Sequence, residues 1–369
     1  MELIVGTYGT RLWLLELGVA TFDVLGISIF EAENTSYVAL SPDRRYLFAV
    51  SESGEDSGVY SFRVRPYDRL SPLSRIEKVS EIRGVAPDPC HLVYLSGYFN
   101  HCGDPDNGAL LTADYSGGSV SLFPVRSGRI EPATQVVRFE GSGPDPERQT
   151  APHIHHLIPF GNQLLAVDLG ADCIHVLRLF DRSVRPLCDG RLDRELRLER
   201  LFDIPAPAGS GPRHLVLNKE GTHFYVITEL SNEILVYSMP DFTKPDDRPV
   251  LLQRLPVGDK AFPEQAGGDI QLSPDGRHLY ASLRNGGDGL VIARVEADGM
   301  IRRIGYQRTG NHVRDFFFLQ EDLLMIFCKN SRCIQVYRRN IVSGALRLVR
   351  EIKIGDVFGE PVHGVIYSV

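Results

Sequence analysis

The sequence predicts an all-β fold, a seven-bladed β-propeller of four-stranded antiparallel blades, on three observations. One strand-rich module recurs six times along the chain. The two ends of the chain supply the parts of a seventh. Charged and imidazole side chains fall at the same point of each module.

Each module is an apolar run, a Pro/Gly/Asp turn, a second alternating run, a polar turn and a third run. It is clearest as YVALSPDRRYLFAVSE from Tyr37, HLVLNKEGTHFYVITELSNEILVYSM from His214 and DIQLSPDGRHLYASLRNGGDGLVIARV from Asp269. Further copies begin at His91, His155 and Asp315. The runs are short and rich in Val, Ile, Leu, Phe and Tyr, which suits strands. SPDR and SPDG carry the chemistry of tight turns. Successive modules start roughly 46 to 64 residues apart, the size of a propeller blade. Three visible strands and a more variable fourth complete each blade.

The C-terminal HGVIYSV is a first strand with no partner after it. The N-terminal ELIVGTYGT and LWLLELG are later strands with no innermost strand before them. Joined in one blade, the two ends close the ring and remove exposed sheet edges. Residues 1–369 therefore read as one domain.

Composition narrows the function classes. The chain has 369 residues, 43% of them hydrophobic and 24% charged, enough to bury a large core. A net charge of -7 argues against a nucleic-acid or anionic-membrane binder. No apolar run reaches membrane-spanning length. The opening MELIVGTYGT lacks the basic and apolar regions of a signal peptide. Six cysteines without a CxxC pair read as reduced thiols. A cytoplasmic protein is expected.

Blade geometry turns sequence position into location. The start of the innermost strand and the end of the second lie at the same end of the channel. Those positions hold His91 with Asp114 and Tyr115, His153 and His155 with Asp168, and Arg213 and His214 with Glu229. They also hold Asp269 with Arg284, Arg314 and Asp315 with Lys329, and His363 and Glu52. One mouth should be ringed by them, a site for a small anionic, oxygen-rich ligand.

In PHIHH, His153 and His155 share a strand face and His156 points away. A histidine near neutrality suits a general base. Arg213, Arg284 and Arg314 suit a carboxylate, a phosphate or a developing oxyanion, and Glu229 can orient them. The histidines with Asp168 would suit zinc, but crowding arginines repel a cation, so no metal is expected. GSGPD and GSGPR lack the context of a serine nucleophile. Gly97 to Ala109 reads as a surface insertion at the far end of its blade, and Asp181 to Arg200 as a solvated outer strand or loop.

These residues carry a resemblance. GTYG at Gly6, PCHL at Pro89, ADYSGGSVSLFPV at Ala113, RQTAPHIHH at Arg148 and VDLGADCIHVLRL at Val167 follow one another in the order of a known family. GSGPRHLVLNKEGTHFYVITEL at Gly209 and SPDGRHLYASLRN at Ser273 complete the set. The chain resembles the lactonase family of seven-bladed propellers, which includes bacterial-type 6-phosphogluconolactonase and the fungal carboxymuconate-lactonizing enzyme. The resemblance implies catalytic residues His155, Arg213, Glu229 and Arg284, with no metal and no cofactor. His91, His153, Asp168 and Arg314 are expected to bind substrate. Short spacing after PHIHH leaves His153 and His155 as alternatives for the base. SLRNGG departs from the family's usual sequence at Asn285, and DFFFLQEDLLMIF lacks the usual turn. The implied reaction is hydrolysis of a small anionic lactone, 6-phosphogluconolactone first. The alternatives are a cycloisomerase acting on a muconate-like dicarboxylate and a propeller that binds a ligand or protein without turnover.

Overall fold

Each repeat folds as an antiparallel sheet, and seven such sheets form the ring of a β-propeller. The computed structural model describes residues 1–66, 75–96, 107–186, 192–242, 244, 246–354 and 359–368, with 181–186 and 192–195 described by backbone alone. The first blade is built, from the channel outward, of Val38–Leu40, Tyr46–Ser51, Gly58–Val64 and Ile76–Arg83. The second to sixth span 89–138, 154–205, 212–256, 266–308 and 313–353. In the second, the outer strand is split into Arg129–Ile130 and Gln135–Arg138.

The seventh blade is made by the two ends. Glu360–Ser368 is innermost and pairs with Glu2–Tyr8, followed by Arg11–Leu17 and Val24–Glu31. Ile4 lies opposite Val365 and Leu3 opposite Ile366. Closure by this pairing is as the sequence predicts.

Burial follows position within the blade. Middle strands lie between neighbouring sheets, so Tyr46–Ser51 and Leu323–Cys328 are buried at every residue. Outer strands face water on one side and alternate, as in Leu251–Pro256. Seven apolar clusters fill the space between blades, one at each junction. The junction of the seventh blade with the sixth packs Leu3, Val5 and Trp13 on Met325, Phe327 and Val336. An open fan of seven blades would have only six such junctions, so the ring is closed by side chains as well as by backbone.

The SPDG turn works as its chemistry requires. Ser273 Oγ donates to Asp275 Oδ1 at 2.6 Å, and Gly276 takes a φ of 72°. SPDR repeats the bond through Ser41 and Asp43 but puts Arg44 in the same left-handed region at 60°.

Most innermost strands carry an irregularity near the mouth. The register shifts between Pro89 and His91, Ile154 and His156, Pro212 and His214, and Val313 and Asp315. Comparable shifts lie between Gly267 and Ile270 and opposite Gly6/Thr7 on the closing strand. Such a bulge re-aims the side chains on either side of it. It overturns one expectation: His156 does not point away, because the bulge turns both His155 and His156 toward the channel.

Two surface expectations resolve differently. Of the insertion at Gly97 to Ala109, residues 97–106 lie outside the described residues; Gly108 and Ala109 open a buried strand. The charged stretch Asp181 to Arg200 lies on the strands Cys173–Pro186 and Leu192–Pro205, apart from 187–191, which are not described. It is not wholly solvated, since Leu196 and Leu198 are buried in the core shared with the second blade.

Candidate active site

Strand ends of blades four and five, with the segment joining blades two and three, bring a carboxylate and three guanidinium groups together at the mouth. Glu229 follows the second strand of the fourth blade. Arg213 sits in the bulge of that blade's innermost strand, and Arg284 ends the second strand of the fifth. Arg213 Nε donates to Glu229 Oε2 at 3.0 Å, and Arg284 Nη2 donates to the same oxygen at 2.7 Å. Arg148 reaches in from the segment joining blades two and three, donating to Glu229 Oε1 at 2.6 Å and to the Tyr115 hydroxyl at 3.1 Å.

Backbone carbonyls fix the two inner arginines. Arg213 Nη1 donates to Gly268 O at 2.9 Å, and Arg284 Nη2 to Gly267 O at 2.7 Å. Gly268 cannot be larger: a Cβ there would lie 2.3 Å from Ser282 Oγ and 2.9 Å from Val313 O. Among the described residues Arg284 Nε is buried without a partner, and such a donor costs free energy unless something accepts from it.

The electrostatics follow from this crowding. Burial alone would push the Glu229 carboxyl up, but Arg284, Arg213 and Arg148 together outweigh it and hold it well below the usual carboxylate range. Arg213 is pushed down to about 9, by burial first and then by the like charge of Arg284, and stays cationic at neutral pH.

His155 occupies the bulge of the third blade and is 5% exposed. Burial, then the charges of Arg213, Arg314 and Arg284, depress its pKa well below the ordinary histidine value, so the imidazole is neutral. Among the described residues its Nδ1 is buried without a partner. His153 is differently placed. It stacks on Tyr115 (centroids 4.4 Å apart, 9° between planes), and its Nδ1 lies 2.9 Å from the Tyr115 carbonyl. Tyr115 meets His155 edge-on at 5.7 Å.

A second group of charges lies on the side of blades six, seven and one. Arg314 Nη2 is 3.6 Å from Glu52 Oε2, which accepts a 2.6 Å hydrogen bond from the Tyr8 hydroxyl. Arg314 and Lys329 stand 5.1 and 4.9 Å from the centre of the Tyr8 ring, and Lys329 pairs with Glu360 at 3.3 Å.

Two residues expected to bind substrate have other surroundings. Asp168 is fully buried. Its Oδ1 accepts from the backbone N–H of His153, Gly170 and Ala171 at 2.8 to 3.0 Å, and Oδ2 lies 3.0 Å from His175 Nε2. It fixes the strap that carries His153. His91 lies one layer below the mouth, 3% exposed, packed between Tyr37 and His156.

That lower layer is a closed circle with one side chain from each blade. Tyr37 meets His91 at 4.2 Å, His91 meets His156 at 4.3 Å, and His156 stacks on His214 at 4.3 Å. His214 Nδ1 is 2.8 Å from Asp269 Oδ1, and Asp269 neighbours Asp315 in the circle. Asp315 Oδ2 is 3.4 Å from His363 Nε2, and His363 stacks on Tyr37 at 3.8 Å. Beyond it, toward the other face, lies a cavity of about 490 Å³ lined by Leu40, Val93, Ile158, Leu217 and the ring residues Tyr37, His91 and His156.

Among the described residues, one group has metal-ligand spacing: Asp168, Cys173 and His175, whose donor atoms lie within 4.8 Å of one another. It sits inside the third blade, apart from the arginines. His175 is already held between Asp168 and Asp203, the latter at 2.8 Å. Among the described residues no helix is long and apolar enough to cross a membrane.

Sequence reasoning placed Arg213, Glu229, Arg284, His155 and Arg314 at the mouth, and the structure brings them together. It passed over Arg148, although the residue lies in the RQTAPHIHH stretch. The signal was a lone arginine five residues before His153, on a segment crossing between blades.

The family model for "Lactonase, 7-bladed beta-propeller" matches residues 3–358. The chain is 28% identical over 330 residues to the 6-phosphogluconolactonase of Formosa agariphila, covering 85% of this chain and 84% of that one. It is 27% identical over 322 residues to the 6-phosphogluconolactonase of Bacillus subtilis, covering 86% and 83%. Among solved structures, the periplasmic gluconolactonase PpgL of Pseudomonas aeruginosa superposes with a TM-score of 0.81 at 28% identity, covering 99% of this chain and 98% of that one.

Proposed function

The chain belongs to the lactonase family of seven-bladed β-propellers, and on that premise we propose that it hydrolyses a sugar-acid lactone, 6-phosphogluconolactone first. The convergence of Arg213, Arg284 and Arg148 on Glu229, beside a neutral buried His155, carries this reading. Relatives named 6-phosphogluconolactonase support the substrate class.

Hydrolysis needs a base for water, a donor for the oxyanion and a proton for the leaving oxygen. His155 is neutral and has a lone pair to accept the proton from water as the new C–O bond forms. The arginine N–H groups not used on Glu229 or on carbonyls, Arg284 Nε among them, receive the negative charge of the tetrahedral intermediate. The ring C–O bond then breaks, and the imidazolium returns its proton to the departing oxygen. Glu229 stays ionised and keeps both guanidinium groups aimed. Arg314 and Lys329 supply cationic reach for the substrate's remote anionic group. No cofactor takes part in these steps.

A second reading, hydrolysis of gluconolactone without phosphate, is favoured by the name of the Pseudomonas neighbour. Both are tested by following disappearance of each lactone with purified protein, corrected for spontaneous hydrolysis, with and without a chelator. Faster loss of the phosphorylated lactone that survives chelation supports the first reading. Equal or faster loss of gluconolactone supports the second. No acceleration of either returns weight to a muconate-type cycloisomerase or a binding propeller.

A further inference from the structure

The channel has a second end, and its chemistry is the reverse of the mouth's. Beneath the circle, the innermost strands of blades one to five surround the cavity of about 490 Å³. Side chains on a strand alternate, so the residue two beyond each circle member faces the channel as that member does. In these five blades those residues are Ala39, Val93, Ile158, Val216 and Gln271, and all five line the cavity. The four apolar ones pack against the junction clusters and stay only half-buried. Gln271, the polar one of the five, spends its Nε2 on Asp269 Oδ2 at 3.0 Å.

The lining is uncharged. Among the described residues that form it there is no Asp, Glu, Lys or Arg, whereas the mouth gathers Arg213, Arg284, Arg314 and Lys329. The two imidazoles at the cavity floor are neutral as well. Burial holds His156 at about 3, and burial first, then the neighbouring His156, depresses His91 well below the ordinary histidine value. An ion entering this end would leave water with no lining charge to meet it, which is costly.

The floor is polar all the same, and its direction is fixed. His156 Nδ1 accepts from the Leu215 N–H at 3.3 Å. A neutral imidazole has a single N–H, so the proton sits on Nε2 and His156 is a donor there. The ring is clamped: it stacks on His214 at 4.3 Å with 13° between planes and meets His91 edge-on at 4.3 Å. His91 is 3% exposed, and among the described residues its Nδ1 is buried without a partner. Tyr37, 4.2 Å from His91 between ring centroids, and Tyr94 add two more rings to the lining. A largely apolar recess with a few oriented polar groups is the form of a small-molecule site, and ring-rich walls favour a ring-shaped occupant.

We propose that this end of the channel is a second small-molecule site, which takes one uncharged aromatic compound bearing a single oxygen, of the phenol or aryl ether class. Its rings lie among Val93, Ile158, Val216 and Leu217, and its oxygen accepts from His156 Nε2. The site shares no residue with the Glu229 corner and does not depend on the lactonase reading.

The probe is 2-naphthol, uncharged at pH 7, titrated into the full chain and followed by its fluorescence; related compounds are ranked by displacing it. One molecule should bind per chain. 2-Naphthalenesulfonate, the same rings with a permanent charge, should bind at least about 30-fold more weakly. 2-Methoxynaphthalene, which accepts but does not donate, should bind within about 3-fold of 2-naphthol. Naphthalene, with no acceptor, should bind about 3- to 10-fold more weakly. Ala39→Phe adds a ring inside the cavity and should lower 2-naphthol affinity at least about 10-fold; Leu217→Trp takes its place if that variant does not fold. Absence of saturable one-to-one binding, a sulfonate that binds as well as 2-naphthol, or parental affinity in a folded filled variant overturns the site. Naphthalene equal to 2-naphthol, or 2-methoxynaphthalene no better than naphthalene, overturns the role of His156. None of these probes is a lactone, so a chain that hydrolyses no lactone sinks the lactonase reading and leaves this test intact.

Discussion

The two charged corners of the mouth use the same residue types and are built differently. At the Glu229 corner, Arg213 and Arg284 have side chains 1% and 5% exposed, and each is tied to a backbone carbonyl as well as to the carboxylate. At the Tyr8 corner, Arg314 and Lys329 are 17% and 24% exposed, and their carboxylate partners stand 3.6 and 3.3 Å away. The first arrangement has little freedom left to lose, which suits charge developing in a transition state. The second keeps rotamer freedom and solvent, which suits capture of a ligand that arrives charged. The same chemistry serves two ends according to how much backbone holds it.

Breaking the rigid corner should have the largest effect. Glu229→Gln leaves two buried guanidinium groups facing each other, and removing one partner of a buried pair costs about 3–5 kcal/mol. We expect a Tm lower by several degrees and kcat/KM lower by at least about 10³-fold. Parental values for both, in thermal melts and lactone kinetics, would mean that this corner is not pre-organised.

His155→Ala should follow, lowering kcat about 10²- to 10⁴-fold while the melting curve hardly moves. The same loss in His153→Ala instead would transfer the base to the residue stacked on Tyr115. Arg213→Lys separates charge from shape. An ammonium cannot serve Glu229 and the Gly268 carbonyl in the guanidinium's geometry, so kcat/KM should still fall about 10²-fold. Recovery by lysine would show that charge alone suffices.

The layer under both corners should make the protein acid-sensitive. Burial holds His156 and His363 at about 3 in the fold, against about 6.5 in an unfolded chain. The unfolded chain therefore takes up protons first. Stability that is intact above pH 6.5 is lost as pH falls, on the order of 2 kcal/mol for each histidine between pH 6.5 and 5. Asp114, raised to about 6 by burial, works in the opposite sense, gaining stability as pH falls through that value, and offsets part of the loss. Tm measured from pH 7 to 5 should fall; a flat profile would contradict a neutral buried histidine layer.

The smallest effect belongs to the loose corner. Lys329→Ala should raise KM about 5- to 10-fold, leave kcat unchanged and weaken the dependence of KM on salt. A fall in kcat equal to that of Arg213→Lys would erase the distinction between the corners.

Glu229 and Asp114 show why position alone does not decide chemistry. Both follow or end the second strand of a blade and both are buried. Asp114 accepts from the hydroxyls of Thr112, Ser119 and Ser121 at 2.7 to 2.8 Å, and burial outweighs these bonds and the charge of Arg138. Glu229 meets three arginines, and their charge prevails.

From residue order alone came the repeat, its blade length, the pairing of the chain ends and the arginines and glutamate at strand ends. All of these are local or periodic: apolar runs, turn residues and a phase that returns once per module. Tertiary structure decided the rest. The bulge at His155 set both neighbouring histidines toward the channel, because one unpaired residue on a strand re-aims what flanks it. Asp168 was drawn into its own blade by three backbone N–H groups and a histidine. Arg148 found Glu229 across 81 residues of sequence, and Tyr37, His91, His156, His214, Asp269, Asp315 and His363 met as one circle. Periodicity announces which side chains recur at the channel, but which of them touch depends on a ring closing around them. That closure is a property of seven packed junctions, written in no single module.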